Sequence, residues 1–533
     1  MEVECIPFKK TGYFSNLICD YLDAKESLFP FYERPPQIDQ YAEQIRAKQN
    51  FPSSHREVLF SVLKNQYREI DISEDTKVNI SLLREASTYT VVTGHQLNLF
   101  TGPLYFLYKI ISTINLTKEL KLANPENNFV PIYWMATEDH DFDEINYFNF
   151  RGKKLQWNKN ASGAVGPLAT DGLESILEAF SNEMGNSINA SKLKEWFRKA
   201  YLEHDNLTDA TRFLANELFG EHGLVILDGN DAALKRLMVP FVKRDLLENA
   251  SYNKVSETIE QLQLLPENYG IQVNPREINY FYLLDGVRER IVGQDGRFYV
   301  NDTKIEFSQE EILKELENYP ERFSPNVITR PLYQEVILPN LCYIGGGGEL
   351  AYWLQLKAMF TEMKVPFPIL LLRNSALVIT GKQMEKLKRM NISLADIFLN
   401  QSSFINKKIR EISNIDIDFT PQKKYLQEQF RELYDLAAQT DASFVGAVKA
   451  QEVKQLKGLD NLQGRLLKAQ KRKLQDHVVR MTEIQNQLFP NKSLQERNLN
   501  FSELYLEYGE GLIPHLMKAL RPLSGEFSIV KMD

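Results

Sequence analysis

Residues 88–145 decide the fold of this chain. The stretch begins TYTVVTGHQLNLFTGPLYFLYKIISTINL (88–116) and ends FVPIYWMATEDHDFDEI (129–145). Tyr89–Thr93 is a short β-branched run and predicts a buried strand, and Phe129–Ala136 predicts the next one. Between them, the sequence from Pro103 to about Lys121 is apolar on nearly all sides and predicts a buried helix. Strand, loop, helix and strand make a βαβ unit, in which ligands bind at the carboxyl ends of the strands.

Polar side chains gather where both of these strands end. His95, Gln96 and Gly102 lie in the loop after the first strand and are predicted to contact substrate; a buried structural histidine is the alternative. Six ionisable residues follow the second strand within seven positions: Glu138, Asp139, His140, Asp141, Asp143 and Glu144. Such a group could hold an ammonium group, act as acid and base, or bind Mg²⁺. The competing interpretation is a solvated surface loop.

Composition narrows the class of protein. The chain has 533 residues, of which 43% are hydrophobic and 25% charged, as in a globular protein in water. No apolar run reaches the length of a membrane span, and the first residues do not resemble a signal peptide. Only three cysteines are present and none forms a Cys-x-x-Cys pair, which favours the cytoplasm and gives no zinc site. The net charge of −8 argues against a nucleic-acid partner.

A second ligand-like region is SPNVITRPLYQEVILPNLCYIGGGGELAYWLQLK (324–357). Four glycines between a predicted strand and a predicted helix could offer backbone N–H groups to an anion, or could make a tight crossover. The predicted substrate-binding residues of this region are Arg330, Gln334, Gly345, Gly346, Gly347, Gly348, Glu349, Tyr352 and Trp353.

A third strand, Pro366–Leu372, ends in the predicted substrate-binding residues Arg373, Asn374 and Ser375. A guanidinium group at this position suits a carboxylate or a phosphate. The alternative is an ion pair between Arg373 and one of the acids that follow the second strand.

Other segments predict the domain organisation. Residues 1–380 are predicted to form the parallel-sheet core, with insertions at about 150–222 and 245–320. Within the second insertion, residues 270–307 alternate and carry two Asp-Gly turns, which predicts an antiparallel meander outside the parallel sheet. Residues 381–500 are predicted to form a helical arm, and residues 501–533 a tail that packs back on the body. Four apolar residues of the arm fall seven apart and predict a heptad seam: Leu467, Leu474, Met481 and Leu488.

Six motifs, in this order along the chain, resemble one family. They are TGHQLNLFTGPLYFLYKI, VPIYWMATEDHDFDEIN, LVILDGNDAALKRL, SPNVITRPLYQEVILP, YIGGGGELAYWLQL and ILLLRNSALVI. They are similar to the cysteine ligase of bacillithiol biosynthesis, the BshC family, over about residues 5–525. The resemblance implies a Rossmann-like core similar to class I aminoacyl-tRNA synthetases, connecting-peptide insertions, and a coiled coil that forms a homodimer. It also implies an amide bond between cysteine and the amine of glucosaminyl-malate.

A working hypothesis for this reaction assigns roles to the candidate residues. The acids Glu138, Asp139 and Asp141 would hold the substrate amines, and Asp139 or His140 would remove a proton. Arg330, Arg373 and the glycine loop would receive malate carboxylates or a developing oxyanion. ATP would activate the carboxyl group, and the family's ADP site near the coiled coil makes Tyr505 and Tyr508 the candidates for stacking on adenine. The alternative function is a non-catalytic nucleotide- or metabolite-binding scaffold that recruits the true ligase.

Overall fold

The structure is a computed structural model that describes residues 2–532. Its strands, in chain order, are β1 (Glu2–Pro7), β2 (Thr88–His95), β3 (Asn128–Met135), β4 (Tyr147–Phe150), β5 (Lys153–Gln156), β6 (Val225–Asp228), β7 (Tyr280–Leu284), β8 (Val287–Gln294), β9 (Arg297–Val300), β10 (Glu306–Ser308), β11 (Phe323–Pro325), β12 (Asn340–Gly345), β13 (Ile369–Leu372), β14 (Ala376–Thr380) and β15 (Glu526–Met532).

Helices occupy most of the remaining chain. In chain order they are α1 (Phe8–Thr11), α2 (Asn16–Leu22), α3 (Gln40–Lys48), α4 (Ser53–Gln66), α5 (Glu74–Leu82), α6 (Tyr105–Ala123), α7 (Phe142–Ile145), α8 (Glu174–Met184), α9 (Ile188–Leu202), α10 (Leu207–Phe219), α11 (Ala232–Arg236), α12 (Val239–Glu248), α13 (Ala250–Gln263), α14 (Gln309–Asn318), α15 (Arg330–Ile337), α16 (Gly347–Trp353), α17 (Lys357–Glu362), α18 (Gly381–Arg389), α19 (Leu394–Ile397), α20 (Gln401–Ile412), α21 (Thr420–Ala437), α22 (Ala442–Lys473), α23 (Gln475–Leu488), α24 (Gln495–Asn498), α25 (Phe501–Tyr508) and α26 (Leu512–Ala519).

The central sheet has five strands in the order β13-β12-β2-β3-β6, and every pair in it is parallel. Numbered by their order along the chain, these strands run 5-4-1-2-3, which is the strand order of a Rossmann-like sheet. The order reverses between β2 and β12. In open parallel sheets a ligand crevice forms outside the carboxyl ends of the strands at such a reversal. The predicted βαβ unit is confirmed and forms the middle of the sheet.

The burial of β2 and α6 agrees with the strand and the covered helix predicted for these segments. All eight residues of β2 are buried, as expected for a parallel strand that helices cover on both faces. Along α6, residues on every side are buried, including the charged Lys109. Tyr89, Leu116 and Ile344 belong to one apolar cluster that links β2, α6 and β12. The buried helix predicted from the sequence is therefore confirmed, together with its place against the sheet.

The residues inserted between the central strands build two further structures. Between β3 and β6 lie the antiparallel pair β4–β5 and the helices α8, α9 and α10. Between β6 and β12 lies a separate five-stranded sheet in the order β10-β9-β8-β7-β11, whose pairs are antiparallel. The predicted meander is thus confirmed outside the parallel sheet. It places β7 and β8 beside the loop that follows β3, where Phe281 and Arg288 contact His140.

The chain divides into two compact units. The first holds residues 2–9, 13–378 and 494–530, and the second holds mainly residues 379–493. Residues 494–500, predicted within the arm, belong to the first unit because Gln495 bonds to the backbone of Val378 through both its amide atoms. Farther along, the Asn115 side chain donates to the carbonyls of Met517 and Leu520 and fixes the tail to α6.

The second unit contains an antiparallel helical hairpin, α21 and α22. Phe430, Ala437 and Val448 form its buried seam, and the Tyr434 hydroxyl donates to Glu452 at 2.8 Å across it. The predicted continuous heptad seam is wrong. Helix α22 ends at Lys473, Leu474 has φ −105° and ψ 32°, and α23 starts afterwards, so the four heptad residues do not share one helix.

Within residues 2–532, no helix is long and apolar enough to cross a membrane. In the same part of the chain, no group of three or more His, Cys, Asp or Glu side chains is arranged to hold a metal ion.

Candidate active site

A buried ion pair occupies the point where the strand order reverses. Lys109 of α6 donates its ammonium to the carbonyl of Gly94, at the end of β2, over 2.6 Å. The same ammonium lies 2.7 Å from the carboxylate of Glu349, which follows β12. The other Glu349 oxygen accepts from the hydroxyl of Tyr343 at 2.7 Å. One lysine therefore ties together the carboxyl ends of the two strands that flank the crevice.

This pair is charged despite its burial. Burial alone would raise the pKa of Glu349, but the Lys109 ammonium, the amide of Gly346 and the Tyr343 hydroxyl outweigh it and hold that pKa below its usual value. Burial lowers the pKa of Lys109, and Glu349 opposes that shift. The lowered pKa of Glu349 and the 2.7 Å contact between its carboxylate and the Lys109 nitrogen fit an ammonium–carboxylate pair.

One amide of the tetraglycine segment is already hydrogen-bonded within the protein, unlike the free amides of an anion-binding loop. The amide of Gly346 donates to the Glu349 side chain at 2.7 Å, so an internal carboxylate already occupies that donor. Helix α16 has only seven residues. A Cβ at Gly345 would lie 2.8 Å from the Leu350 side chain, so glycine is needed there for close packing. Of the two interpretations left open by the sequence, the tight crossover fits this geometry.

The guanidinium group of Arg330 lies near two aromatic rings and has one nitrogen without a hydrogen-bond partner among the described residues. Its guanidinium lies 5.7 Å from the ring centre of Trp134 and 5.6 Å from that of Tyr343. Its Nη1 donates to the side chain of Gln334 at 3.1 Å. Its Nη2 is buried and has no hydrogen-bond partner. A buried guanidinium N–H without a partner is costly, so this atom indicates a place for an acceptor on a ligand.

Arg373 is largely committed within the protein. Its Nη2 lies 2.7 Å from the buried carboxylate of Glu496, and its Nη1 donates to the carbonyl of Asn374 and to the hydroxyl of Ser375. The ion pair left open as the alternative exists, but its acid lies on α24 and not in the loop after β3. Only Nε of Arg373 is buried without a partner. A Cβ added to Gly346 would lie 3.8 Å from it, so Nε faces the crevice.

His95 ends β2 and is held neutral. Burial, the Lys109 ammonium and the Arg373 guanidinium lower its pKa well below the usual value, and a backbone hydrogen bond with Thr101 opposes them only in part. Its ring lies 5.0 Å from that of Phe106. Its Nε2 is buried without a partner. The sequence left open a ligand or a structural histidine. The unpartnered nitrogen beside Arg373 favours a ligand.

The loop after His95 has an unusual backbone. Phe100, Thr101 and Gly102 are consecutive residues with φ of 48°, 67° and 62°. Left-handed backbone at residues other than glycine costs on the order of 1–3 kcal/mol each and persists only where the surroundings enforce it. Here the Phe100 amide donates to the Tyr201 hydroxyl, and Asn500 donates to the carbonyls of Phe100 and Gly102. A side chain at position 102 would collide with Asn98.

The acids after β3 do not share one environment. Glu138 forms an ion pair with Lys235, whose side chain is 3% exposed and whose ammonium also donates to Asn230 and to the Glu321 carbonyl. Asp139 accepts instead from the side chain of Gln96 at 2.9 Å and keeps its side chain 29% exposed. Glu138 is thus neutralised internally. Asp139 accepts only hydrogen bonds from neutral donors and stays open on one side.

His140 and Asp141 stand at the outer edge of this loop. The Nδ1 of His140 lies 2.6 Å from Nη1 of Arg288 on β8, and its imidazole side chain is 49% exposed. Asp141 is exposed, and its side chain does not cap the short helix α7 that follows it.

Several predicted site residues are packed away from any ligand. Trp353 is fully buried and stacks on Tyr343, with ring centres 4.5 Å apart. Gln334 is fully buried between Arg330 and Glu335. Asn374 and Ser375 are buried. The Ser375 hydroxyl accepts a hydrogen bond from Arg373, and the Asn374 side chain donates to the carbonyl of Arg521. For Trp353, Gln334, Asn374 and Ser375 the predicted contact with substrate is therefore replaced by structural contacts.

The predicted nucleotide-stacking residues lie far along the tail, on α25. Tyr505 is 3% exposed, and its ring packs 4.9 Å from that of Trp196, so no face of it is open to an adenine. Tyr508 is half-buried. Tyr352, in contrast, is close to Arg330 and raises the pKa of that guanidinium against the effect of burial.

Sequence reasoning missed five residues that organise the site. These residues do not form a common sequence motif, and their roles become clear from their partners in space. They are Lys109, Lys235, Arg288, Tyr343 and Glu496. Lys109 carried one usable signal. A lysine inside an otherwise apolar, all-round buried helix is almost never left without a partner, so its position predicts a buried acid opposite it.

Comparison with known proteins identifies the family. Residues 1–374 match the family model described as bacillithiol biosynthesis BshC, N-terminal Rossmann-like domain, and residues 376–532 match the BshC C-terminal coiled-coil domain. The protein named "Putative cysteine ligase BshC" from Christiangramia forsetii is 58% identical over 535 residues, covering 99% of each chain. The protein of that name from Cytophaga hutchinsonii is 36% identical and covers 98% of this chain and 97% of its own.

A more distant relative carries the same name. The protein of the same name from Bacillus thuringiensis is 27% identical and covers 100% of both chains. Among solved structures, one titled a putative arginyl-tRNA synthetase from Campylobacter jejuni is 9% identical, covers 83% of this chain and 97% of its own, and has a TM-score of 0.20, which carries no argument. The resemblance stated from the six motifs is confirmed: the chain belongs to the BshC family of bacillithiol biosynthesis, with a Rossmann-like domain followed by a coiled-coil domain.

Proposed function

We propose that this protein is a cysteine ligase that joins the carboxyl group of cysteine to the amine of glucosaminyl-malate. Family membership supports the reaction class, because its curated relatives carry the name of a cysteine ligase. The scaffold alternative has no such support.

One observation carries the assignment of the site. Three buried polar atoms belong to side chains near the carboxyl ends of the central strands, and none has a hydrogen-bond partner among residues 2–532: Nη2 of Arg330, Nε of Arg373 and Nε2 of His95. Two of them belong to permanently charged guanidinium groups, which recognise carboxylates. The two malate carboxylates of the acceptor substrate supply acceptors for these donors. Arg330 is the stronger candidate because no carboxylate among residues 2–532 forms an ion pair with it, whereas Glu496 already neutralises Arg373.

Asp139 is the proposed base and ammonium-binding group. Its carboxylate accepts hydrogen bonds from Gln96 and from the amide of His140, and its open side can receive the amine of a substrate. In the proposed step the amine gives a proton to Asp139, and its nitrogen attacks the activated carbonyl carbon of cysteine. The C–N bond forms, and the leaving phosphate or nucleotide departs with the electron pair of the broken C–O bond. Glu138 supports this loop through Lys235 and does not take the proton.

The carboxyl group of cysteine must be activated before the amine attacks. An amide does not accumulate in water from a free carboxylate and an amine, so a co-reactant has to drive the reaction, and we propose ATP. Attack of the carboxylate on the α-phosphate would release pyrophosphate and later AMP. Attack on the γ-phosphate would give an acyl phosphate and ADP. The glycine amides after β12 are not the proposed phosphate site because Glu349 occupies one of them.

The test is product analysis with purified full-length protein, cysteine, glucosaminyl-malate and ATP–Mg²⁺. Mass spectrometry is expected to find bacillithiol together with either AMP or ADP. We expect Asp139→Asn to lower the rate by about 100-fold or more, in line with loss of a general base. The matched control is Asp205→Asn, the same change at an exposed aspartate in the insertion between β3 and β6. Substrate binding without product in the unmodified protein would contradict the proposal.

We propose two further properties, an oligomeric state and a location. One is a homodimer formed through the hairpin of α21 and α22. On one face of α21, Tyr425, Leu433 and Leu436 are 68%, 43% and 55% exposed, which leaves an apolar stripe uncovered. Light scattering at micromolar concentration is expected to give twice the mass of one chain. The other is a cytoplasmic location, which suits three cysteines that are all free.

A further inference from the structure

The inserted antiparallel sheet reaches the loop after β3 through a single arginine. Arg288 of β8 is 9% exposed. Its guanidinium lies 4.1 Å from the ring centre of Phe281, and its Nε donates to the hydroxyl of Ser324 on β11. Its Nη1 points at Nδ1 of His140, 2.6 Å away. Phe281 also packs against the His140 ring, with 5.5 Å between ring centres. Three strands of the insertion therefore hold one arginine against one histidine.

This contact determines which nitrogen of His140 carries the proton. A guanidinium group only donates hydrogen bonds, so Nδ1 must act as the acceptor. A proton on Nδ1 would face an N–H at 2.6 Å. The carboxylate of Asp139 is 3.8 Å from Nδ1, beyond hydrogen-bond distance, and does not offer an alternative partner. A ring turned over by 180° would place a C–H against the guanidinium. The neutral imidazole therefore has its proton on Nε2.

The guanidinium itself keeps its charge. Burial lowers the pKa of Arg288, while Glu138 and Asp139 act in the opposite direction. An arginine side chain does not lose its proton within a protein, so the guanidinium acts only as a hydrogen-bond donor.

We propose that Arg288 is a positioning residue that fixes His140 as an Nε2–H hydrogen-bond donor, so that His140 binds an anionic oxygen of a substrate and leaves proton removal to Asp139. The role of His140 in the reaction rests on the proposed ligase function, whereas its fixed tautomer does not depend on that function. The fixed tautomer also decides between Asp139 and His140, the two candidates for the base that the sequence left open. The oxygen belongs to a carboxylate of the acceptor substrate or to a phosphate of the nucleotide.

The tautomer can be measured without any activity. Histidine-selective ¹⁵N NMR of the full-length protein distinguishes a protonated from an unprotonated ring nitrogen, and the His140 signals are assigned by their loss in His140→Asn. We expect the Nε2–H form in the unmodified protein and a mixture of both forms in Arg288→Met. The control is Arg290→Met, the same change at an exposed position on the same strand. A proton on Nδ1, or an unchanged tautomer in Arg288→Met, would overturn the proposal.

Kinetics then test whether Arg288 acts through His140. Arg288→Met is expected to lower kcat/KM by about 10- to 100-fold, as expected for a displaced binding group, and to have little further effect in a His140→Asn background. Arg288→Lys, which keeps a charged donor, should recover part of the loss. A raised KM for glucosaminyl-malate identifies a carboxylate as the oxygen, and a raised KM for ATP identifies a phosphate. Equal losses in both backgrounds would contradict a role through His140.

If the purified protein makes no amide, the NMR measurement still decides the tautomer. Failure of the ligase assignment and failure of this inference are therefore distinguishable. Unfolding followed by tryptophan fluorescence shows whether Arg288→Met still folds, and Arg288→Lys provides the second variant if it does not.

Discussion

Replacing Lys109 by methionine tests the ion pair at the centre of the site. The change removes the ammonium but keeps most of the apolar stem within α6. Glu349 then loses the Lys109 ammonium at 2.7 Å, while the Gly346 amide and the Tyr343 hydroxyl remain as donors. Removing one partner of a fully buried pair costs about 3–5 kcal/mol. The Glu349 side chain is 26% exposed, so water offsets part of this, and we expect about 2–3 kcal/mol.

The four tryptophans make the measurement specific to the first unit. Trp134, Trp157, Trp196 and Trp353 all lie within residues 13–378, so their fluorescence during urea unfolding reports that unit and not the helical hairpin. Trp353 stacks directly on Tyr343, the partner of Glu349.

A double-mutant cycle gives the result that would refute this reasoning. Glu349→Gln should also destabilise, but the double variant Lys109→Met/Glu349→Gln should be less destabilised than the two single changes summed, by about 1–3 kcal/mol. If Lys109→Met changes the free energy of unfolding by less than about 0.5 kcal/mol, or if the two changes add, the pair does not hold β2 and β12 together.

Three other expectations concern the same unit. Gly345→Ala should destabilise by about 1–3 kcal/mol because its Cβ would lie 2.8 Å from Leu350, whereas Gly347→Ala, with its nearest side-chain atom at 3.5 Å, should change urea unfolding little. His95 has a folded pKa below its unfolded value, so its contribution to stability is complete above about pH 6.5 and is lost as the pH falls below that; His95→Gln should flatten the pH dependence of unfolding between pH 7 and 5.5. Thiol titration of the native protein should label one cysteine quickly, the exposed Cys5, since Cys19 is buried and burial raises the pKa of Cys342 to about 12.

Local sequence was sufficient for the sheet and for the ends of its strands. The runs of β2, β3 and β12 are apolar without alternation, as parallel strands covered on both faces require, and their polar ends could be read as ligand positions. The strand order could not be read in the same way. It depends on β12 pairing with β2, across about 250 residues, and no local pattern encodes that pairing.

The individual roles of side chains were less predictable. Arg373 looked free for a ligand, yet Glu496 neutralises it from 123 residues away. Glu138 and Asp139 are adjacent in sequence, and only the position of Lys235 separates their roles. The heptad spacing failed because periodicity does not reveal the break at Leu474, after which Met481 and Leu488 are buried within their own unit.

The strained loop from Phe100 to Gly102 has a consequence for synthesis. Two of its carbonyls are held by Asn500, which leaves the ribosome 400 residues after Phe100. At roughly 5–20 residues per second, about 20–80 s separate the two events. The parallel strands can pair during that interval, but the loop that ends at Gly102, and Arg373 with its Glu496 partner, cannot reach their final form. A newly made chain therefore cannot complete this loop until Asn500 has emerged, so products truncated before Asn500 should carry the parallel strands without these contacts.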